Sequence, residues 1–184
     1  HPYVADVGAW LSTNGAELDA VVLSRHYVAA KYIDLVHLYA QRAKLIFDTV
    51  DLHYLREQRA AELSSDAALA RTAAATRAQE LKLIRDSDVT LVVSPVEREL
   101  LARDAPGARV DVLSNVHEVH GCKRGFSERV DLVFVGGFQH PPNVDAVEWF
   151  VREVFGRVRA EIPELRFHVI GSRVPASIQA LAGE

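Results

Sequence analysis

The chain has 184 residues, of which 25 are acidic and 21 basic, and its formal net charge is -4. With 49% hydrophobic residues it can bury a core, which excludes a disordered chain. The mild acidity disfavours a dedicated nucleic-acid binder, and the single cysteine excludes an internal disulfide and fits a reducing compartment. The apolar runs are all too short to span a bilayer.

Short apolar runs alternate along the chain with longer helical patterns. The runs are rich in Val, Leu, Ile and Phe and are mostly continuous, which is typical of strands covered on both faces. The predicted strands are 19–24, 44–50, 89–94, 110–115, 130–137 and 165–172. The predicted helices are 26–41, 52–86, 95–104 and 144–160. This alternation predicts an α/β fold of parallel sheets with helices on both faces.

Two of the helical segments contain residues that indicate where a helix begins or ends. Apolar residues recur at helical spacing through 144–160, and we expect Asn143 to cap this helix and Pro163 to end it. The triplet "SSD" (64–66) interrupts the segment 52–86. Because Ser and Asp favour caps over helix interiors, the triplet predicts a second helix start there.

The stretch "VHEVHGCKRGFSER" (116–129) is polar and has neither helical nor strand periodicity. It predicts a connection between two α/β lobes. We place the first lobe at residues 1–117, the linker at 118–129 and the second lobe at 130–184.

The loop "GGFQHPPN" (136–143) joins a predicted strand to a predicted helix. Backbone amides at such a turn can hold phosphate, and Gly136 and Gly137 permit close approach. The dinucleotide fingerprint G-x-G-x-x-G is absent, which disfavours nicotinamide or flavin binding. A purely structural turn stiffened by its prolines remains the alternative.

The stretch "FDTVDLHYLRE" (47–57) places Asp48, Asp51 and His53 where a strand ends and a helix begins. In parallel sheets this edge carries the ligand site. His53 could bond a sugar or phosphate oxygen, and an aspartate could accept from hydroxyl groups. The alternative is that Asp51 caps the helix and His53 is a surface residue.

A third grouping is "HEVHGC", which contains His117, His120 and Cys122. The two histidines are three residues apart, whereas the zinc-protease motif H-E-x-x-H needs them four apart on one helix face. We interpret this grouping as chance.

Two longer stretches resemble a known family of enzymes. "VTLVVSPVERELLARDAPGARVDVLSN" is similar to the end of the N-terminal domain of GT-B glycosyltransferases of family 4 (glycosyl transferases group 1). "VDLVFVGGFQHPPNVDAVEWFVREVFGRVRAEIPELRFHVIGS" resembles the start of their C-terminal domain. The order and spacing of these short motifs, more than any one of them, carry the resemblance.

The resemblance implies two Rossmann-like lobes that face a cleft. It implies transfer of a sugar from a nucleotide-sugar donor to a glycan or lipid-linked acceptor, with retention of configuration, no bound metal and no other cofactor. It further implies a cytoplasmic protein whose membrane contact is peripheral, at the inner face, and whose partners include no nucleic acid.

The glycine turn is the part of the family's donor-phosphate site that this sequence contains. By position, the resemblance assigns donor-phosphate binding to Gly136, Gly137, Phe138, His140 and Asn143. The family often has a basic residue and then a lysine in this loop, and here His140 is the only candidate substitute.

The first lobe supplies the predicted catalytic residues. Family members commonly carry a histidine just after a strand that contacts the donor sugar, and His53, accompanied by Asp51, matches that place. Asn115 matches the asparagine at the lobe boundary, although Val116 stands where a glycine usually follows.

The family's paired-glutamate motif, E-x7-E, and its early acceptor-side glycine loop would lie outside these residues. The resemblance therefore predicts a central fragment of such an enzyme, without turnover on its own. Two other classes remain as alternatives: a nucleotide-dependent oxidoreductase or epimerase, and a non-catalytic sugar-phosphate-binding module.

Overall fold

A computed structural model describes residues 4–183, except for the side chain of Ser64. The chain divides into two compact units, residues 1–118 and 119–184. Each unit has its own parallel sheet and its own apolar core. The predicted α/β class with parallel, Rossmann-like sheets is confirmed.

In the first unit four strands alternate with helices. The strands are β1 (Ala20–Ser24), β2 (Lys44–Asp48), β3 (Val89–Val92) and β4 (Val110–Val112). The helices are α1 (Val7–Asn14), α2 (His26–Tyr39), α3 (His53–Ser64), α4 (Ala67–Asp86) and α5 (Pro95–Asp104), with a 3₁₀ turn at Gly15–Glu17. The sequence did not predict α1, whereas α5 has the predicted bounds.

The four strands form one parallel sheet in the order β1-β2-β3-β4. Ser24 at the end of β1 is paired with Asp48 at the end of β2. The segments that leave these two strands therefore start side by side at the carboxyl edge of the sheet, where parallel α/β folds place their ligands.

The core of the first unit lies between the sheet and its helices. Helix α2 buries Ala29, Ile33 and Val36, which recur at i, i+4 and i+7. They belong to one apolar cluster with Leu45 and Phe47 of β2. Each Ile, Val, Leu or Phe side chain of this cluster contributes about 1.5–3 kcal/mol when it leaves water, and this packing holds the carboxyl edge in place.

The predicted interruption of 52–86 is confirmed. Helix α3 ends at Ser64, and Ser65 takes a left-handed conformation with φ 52°. Asp66 then caps α4 by accepting hydrogen bonds from the amides of Ala68 and Leu69. The two helices follow one another in the chain but need not share a direction, since the turn between them breaks the helical ladder.

The second unit is smaller. It contains β5 (Leu132–Val135), α6 (Pro141–Trp149), a π-helical turn (Phe150–Phe155), α7 (Gly156–Glu161), β6 (Phe167–Ile170) and α8 (Ala176–Gln179), after a 3₁₀ turn at Phe126–Glu128. Strands β5 and β6 are parallel neighbours. The core of this unit is built around Phe138, Val147 and Ile178.

The two faces of this small sheet differ. Phe134 and Phe167 are half-buried against the core, while Val133, Val135 and Ile170 are more than half exposed. The continuous apolar pattern predicted cover on both faces. Within the second unit, the described residues cover one face well and leave the other open.

The predicted cap of the helix after the glycine turn is wrong. Helix α6 begins at Pro141, three residues earlier than predicted, with His140 at the cap position. Proline suits the first helical turn because it has no amide to satisfy and its φ is preset. Asn143 is thus inside the helix, and its side chain donates back to the Gly137 carbonyl at 2.8 Å.

Across residues 4–183, no helix is both long enough and apolar enough to cross a membrane.

Candidate functional site at the carboxyl edge of the first sheet

Two histidines lie at the carboxyl edge of the first sheet, each at the start of a helix. His26 is the first residue of α2, one residue beyond Arg25, which follows β1; His53 is the first residue of α3, beyond β2. Their ring centroids are 4.6 Å apart, with the rings steeply inclined to each other. Tyr27 lies beside both rings and is 55% exposed, so the site reaches the surface.

The structure brings together the two predicted catalytic residues, His53 and Asp51. The Nδ1 atom of His53 lies 3.1 Å from the Asp51 carbonyl oxygen and 3.1 Å from its Oδ1. Because both neighbours are acceptors, we assign the proton to Nδ1, which leaves Nε2 as an acceptor. Arg56 pairs with the other carboxylate oxygen of Asp51 at 2.5 Å and holds it in place. An imidazole oriented in this way by a carboxylate is suited to accept a proton or a hydrogen bond at Nε2.

The fully buried Glu80 of α4 lies beneath the two histidines. Its Oε1 accepts from the amide of His53 at 3.2 Å, and its Oε2 accepts from the amide of Tyr54 at 3.0 Å. Leu52, at the cap position of α3, has no side-chain oxygen, so Glu80 supplies the cap from another helix. The same Oε1 lies 3.6 Å from Nδ1 of His53 and 3.7 Å from Nδ1 of His26.

Burial is the main cause of the pKa shifts of Glu80 and His26. Desolvation raises the pKa of Glu80, while its hydrogen bonds from the two α3 amides oppose that rise. Burial also lowers the pKa of His26, and protonation of the neighbouring His53 would lower it further. Nδ1 of His26 is buried without a hydrogen-bond partner among the described residues. At neutral pH, His26 is therefore a neutral imidazole with an unsatisfied nitrogen.

The backbone at this edge is strained. Arg25 and Val50 have positive φ angles of 75° and 65°, which is unfavourable for any residue with a Cβ and most of all for a β-branched one. Asp48 holds both in place. Its carbonyl accepts from the Arg25 amide at 2.8 Å, and its carboxylate accepts from the Val50 amide at 3.1 Å and the Ser24 hydroxyl at 2.9 Å. Asp48, a candidate ligand residue in the sequence, is thus engaged in supporting the two loops.

The glycine turn of the second unit is tightly packed against the end of β6. A Cβ on Gly171 would overlap the Gly136 carbonyl oxygen and the ring of Phe138. A Cβ on Gly136 would lie 2.8 Å from Nδ2, the side-chain nitrogen of Asn143. Gly137 has room, with Ser172 Oγ 3.6 Å away as its nearest neighbour. Gly136 is therefore required by packing.

Most of the amides that could hold a phosphate at this turn are used within it. The amides of Gly136, Phe138, His140 and Asn143 donate to carbonyl groups of the same unit. Pro141 and Pro142, at the start of α6, have no amide to offer. Phe138 is itself buried in the core, while the side chain of His140 is exposed.

A basic side chain that the loop itself lacks comes from the segment after β6. With its amide oxygen turned toward Arg173, Gln139 accepts from both Nε and Nη1 of that arginine at 2.6 Å. The sequence analysis considered cations only within the loop and therefore missed Arg173. This residue lies next to the loop because β5 and β6 are neighbouring strands, so the segments that follow them meet.

The sequence also missed His26 and Glu80. His26 had a usable signal, because it follows a predicted strand in the same way as His53 and the two strands are neighbours. Glu80 had none, since it lies 27 residues beyond His53 within an alanine-rich helix. The grouping His117, His120 and Cys122 does not form a cluster able to share an ion in the described part of the chain.

Searches for relatives found no match to this chain among protein family descriptions, curated proteins or solved structures.

Proposed function

We propose that these residues belong to a glycosyltransferase that moves a sugar from a nucleotide-sugar donor to a glycan or lipid-linked acceptor, with retention of configuration. The observation that carries the proposal is the placement of His53. It is buried at the carboxyl edge of a parallel sheet, with Nδ1 held by Asp51 and Nε2 left as an acceptor. This edge is where Rossmann-like units bind polar ligands.

In this proposal His53 and Asp51 have separate roles. His53 accepts a hydrogen bond from a hydroxyl group of the donor sugar through Nε2. Asp51 is a positioning residue, which keeps the proton on Nδ1 and the ring in one orientation, much as second-sphere carboxylates do elsewhere. Arg56 fixes Asp51 in turn. A ring that is already oriented loses little entropy when the sugar binds.

The chemical step breaks the bond from the anomeric carbon to the donor phosphate oxygen and forms a bond from that carbon to the acceptor oxygen. The acceptor hydroxyl passes its proton to the leaving diphosphate oxygen, and the nucleoside diphosphate departs with the bonding electrons. Negative charge grows on the leaving diphosphate, so cations and amides directed at it lower the barrier. In the second unit the proposal assigns this role to the Gly137 turn, the His140 side chain and Arg173.

The test is an assay of the gene product that carries these residues against a panel of UDP-, GDP- and ADP-sugars, with NAD as a competitor class. We expect a nucleotide-sugar to raise the melting temperature and to be turned over. We expect His53→Ala to lower kcat/KM by about a hundredfold, and Asp51→Asn by about tenfold. His37→Ala, which changes an exposed histidine of α2, serves as the matched control.

Three results would overturn the proposal. Selective stabilisation by NAD would indicate an oxidoreductase or epimerase. Binding of sugar phosphates without transfer would indicate a binding module. Equal kcat/KM for His53→Ala and His37→Ala would remove His53 from the reaction.

A further inference from the structure

His26, His53 and Glu80 form a cluster that the proposed function does not use as a unit. One potential ligand atom from each of them lies within 4.8 Å of the other two. Among residues 4–183, this is the only group of three or more His, Cys, Asp and Glu side chains arranged closely enough to share a metal ion. The three residues come from the starts of α2 and α3 and from the middle of α4.

The charge of the cluster is unbalanced. Glu80 is a carboxylate with no exposed surface, and its ion-pair partners among the described residues are the two histidines. Other acidic groups of this unit have permanent cations beside them, such as Arg56 at Asp51 and Arg77 at Asp104. A buried carboxylate without a cation is costly, and its alternatives are to take up a proton or to bind a positive ion.

The histidine nitrogens and the glutamate oxygen that face one another in this cluster are suited to bind a metal ion. Nδ1 of His26 is buried without a hydrogen-bond partner among the described residues, and it lies 3.7 Å from Oε1 of Glu80. Nδ1 of His53 lies 3.6 Å from the same oxygen. In a tetrahedral zinc site with bonds of about 2.0–2.1 Å, neighbouring ligand atoms are roughly 3.3–3.4 Å apart. The two nitrogen–oxygen separations exceed this value by only a few tenths of an ångström, and all three ligand atoms lie within 4.8 Å of one another.

From this geometry we propose that His26, His53 and Glu80 bind a divalent transition metal ion of the zinc type. Two imidazole nitrogens and one carboxylate oxygen favour Zn²⁺ or Co²⁺ over Mg²⁺ or Ca²⁺, which prefer oxygen ligands. The α3 amides that hold Glu80 orient the carboxylate for the ion. The ion replaces the proton on Nδ1 of His53, and Oδ1 of Asp51, 3.1 Å from that nitrogen, is placed to approach it as a fourth ligand. The imidazole then carries its proton on Nε2, so metal binding and acceptance of a sugar hydroxyl at Nε2 are mutually exclusive states of His53.

The inference goes beyond sugar transfer and is tested without it. The purified chain, freed of metal with a chelator and then dialysed, is titrated with Zn²⁺ by calorimetry and with Co²⁺ by visible absorption. We expect one equivalent to bind, with the intense visible bands of tetrahedral Co²⁺. His26→Ala should weaken binding by at least about tenfold, because even changes beyond the first coordination sphere cost that much.

Two control variants separate this site from other metal-binding groups. His37→Ala removes an exposed histidine from the same helix as His26, and it should bind as tightly as the unaltered chain. The triple variant His117→Ala, His120→Ala, Cys122→Ser removes the other candidate ligands and should also bind normally. Circular dichroism checks that each variant is folded.

Nuclear magnetic resonance of the imidazole nitrogens gives a readout in the unaltered chain, which does not depend on any variant folding. Zn²⁺ should shift the Nδ1 signals of His26 and His53 and leave that of His37 in place. The proposal is overturned if Zn²⁺ does not bind, if those two signals do not move, or if His26→Ala binds as tightly as His37→Ala.

Discussion

Glu80 is a carboxylate whose two oxygens serve the first turn of a helix other than its own. At the scale of single residues, this contact explains how an acidic side chain can be fully buried in the first unit. The free helix amides carry partial positive charge, and the carboxylate satisfies two of them. The same contact fixes His53, whose own amide is one of the two donors.

Glu80→Ala should lower the free energy of unfolding by about 2 kcal/mol. The change leaves two amides at the start of α3 without an acceptor, at about 1–3 kcal/mol each, and relief of the buried charge offsets part of this loss. Urea unfolding followed by circular dichroism measures the change. Gln79→Ala alters an exposed neighbour in the same helix and should stay within about 0.5 kcal/mol. Equal effects of the two substitutions would contradict the capping role.

His26 should make the stability of the metal-free protein depend on pH. Its pKa is lowered in the folded state from the ordinary value of 6.5, so above pH 6.5 both states are neutral at His26 and the stability is fully present. As the pH falls below 6.5, the unfolded chain takes up a proton that the folded chain resists, and stability is lost. The slope for one proton is at most about 1.4 kcal/mol per pH unit.

The measurement is the free energy of unfolding between about pH 7 and pH 5, with a chelator present throughout. His26→Asn should flatten the slope just below pH 6.5. Glu80, whose pKa is raised, acts in the opposite direction: the folded state resists its ionisation, so its contribution to stability falls as the pH rises. His37→Asn should keep the original slope, and a variant at His26 with an unchanged slope would refute the assignment.

At the scale of elements, the turns that follow the parallel strands carry both the strain and the candidate chemistry. In the first unit, Asp48 holds two turns with positive φ residues. In the second unit, glycines allow the turns after β5 and β6 to touch. The second of these places is close-packed at Gly136 and Gly171, where one added methyl group has a large effect.

Gly171→Ala should destabilise the second unit by about 2–3 kcal/mol, because its Cβ would overlap the Gly136 carbonyl and the ring of Phe138. Gly137→Ala should change stability by less than about 0.5 kcal/mol, since its Cβ meets only ordinary contacts. Fluorescence of Trp149 in a Trp10→Phe background follows this unit alone, because the chain has two tryptophans. Equal destabilisation by both substitutions would refute the packing described at this turn.

At the scale of the whole molecule, the chain consists of two units with separate cores, and the segment between their sheets has little regular structure. Residues 113–131 contain one 3₁₀ turn, and the segment 115–130 is exposed throughout. Proteases cut where the backbone can extend into their clefts, which packed helices and strands resist.

Brief digestion with trypsin should therefore cleave first after Lys123, Arg124 or Arg129. Mass spectrometry of the earliest products should show two fragments, of about two thirds and one third of the chain. The triple variant Lys123→Gln, Arg124→Gln, Arg129→Gln should delay that first cleavage. First cleavage within α3 or α4, despite their many arginines, would show that the helices open more readily than the connecting segment.

The architecture was largely predictable, because its signals are local. Apolar runs between helical patterns located the six strands within a few residues, and the "SSD" triplet located the break between α3 and α4. Element ends were less predictable. Helix α6 begins before Asn143 because two prolines already suit its first turn, and the sequence reasoning assigned them to the loop.

Part of the site was also predictable. His53 and Asp51 are two residues apart at a strand end, so their proximity follows from the local chain. His26 and Glu80 reach the same place only because β1 lies beside β2 and α4 packs beneath the start of α3. These are long-range contacts, which depend on strand order and helix packing and leave no mark in the local sequence.

The sequence by itself determined the class of fold, the sites of most turns and one histidine with its carboxylate partner. Hydrophobic periodicity and turn chemistry act over a few residues, and they can therefore be recognised along the chain. The tertiary structure decided that a second histidine and a buried glutamate complete the cluster, and that most amides of the glycine turn are already engaged. Burial and hydrogen-bond partners are properties of the packed molecule, because they depend on which distant segments share a surface.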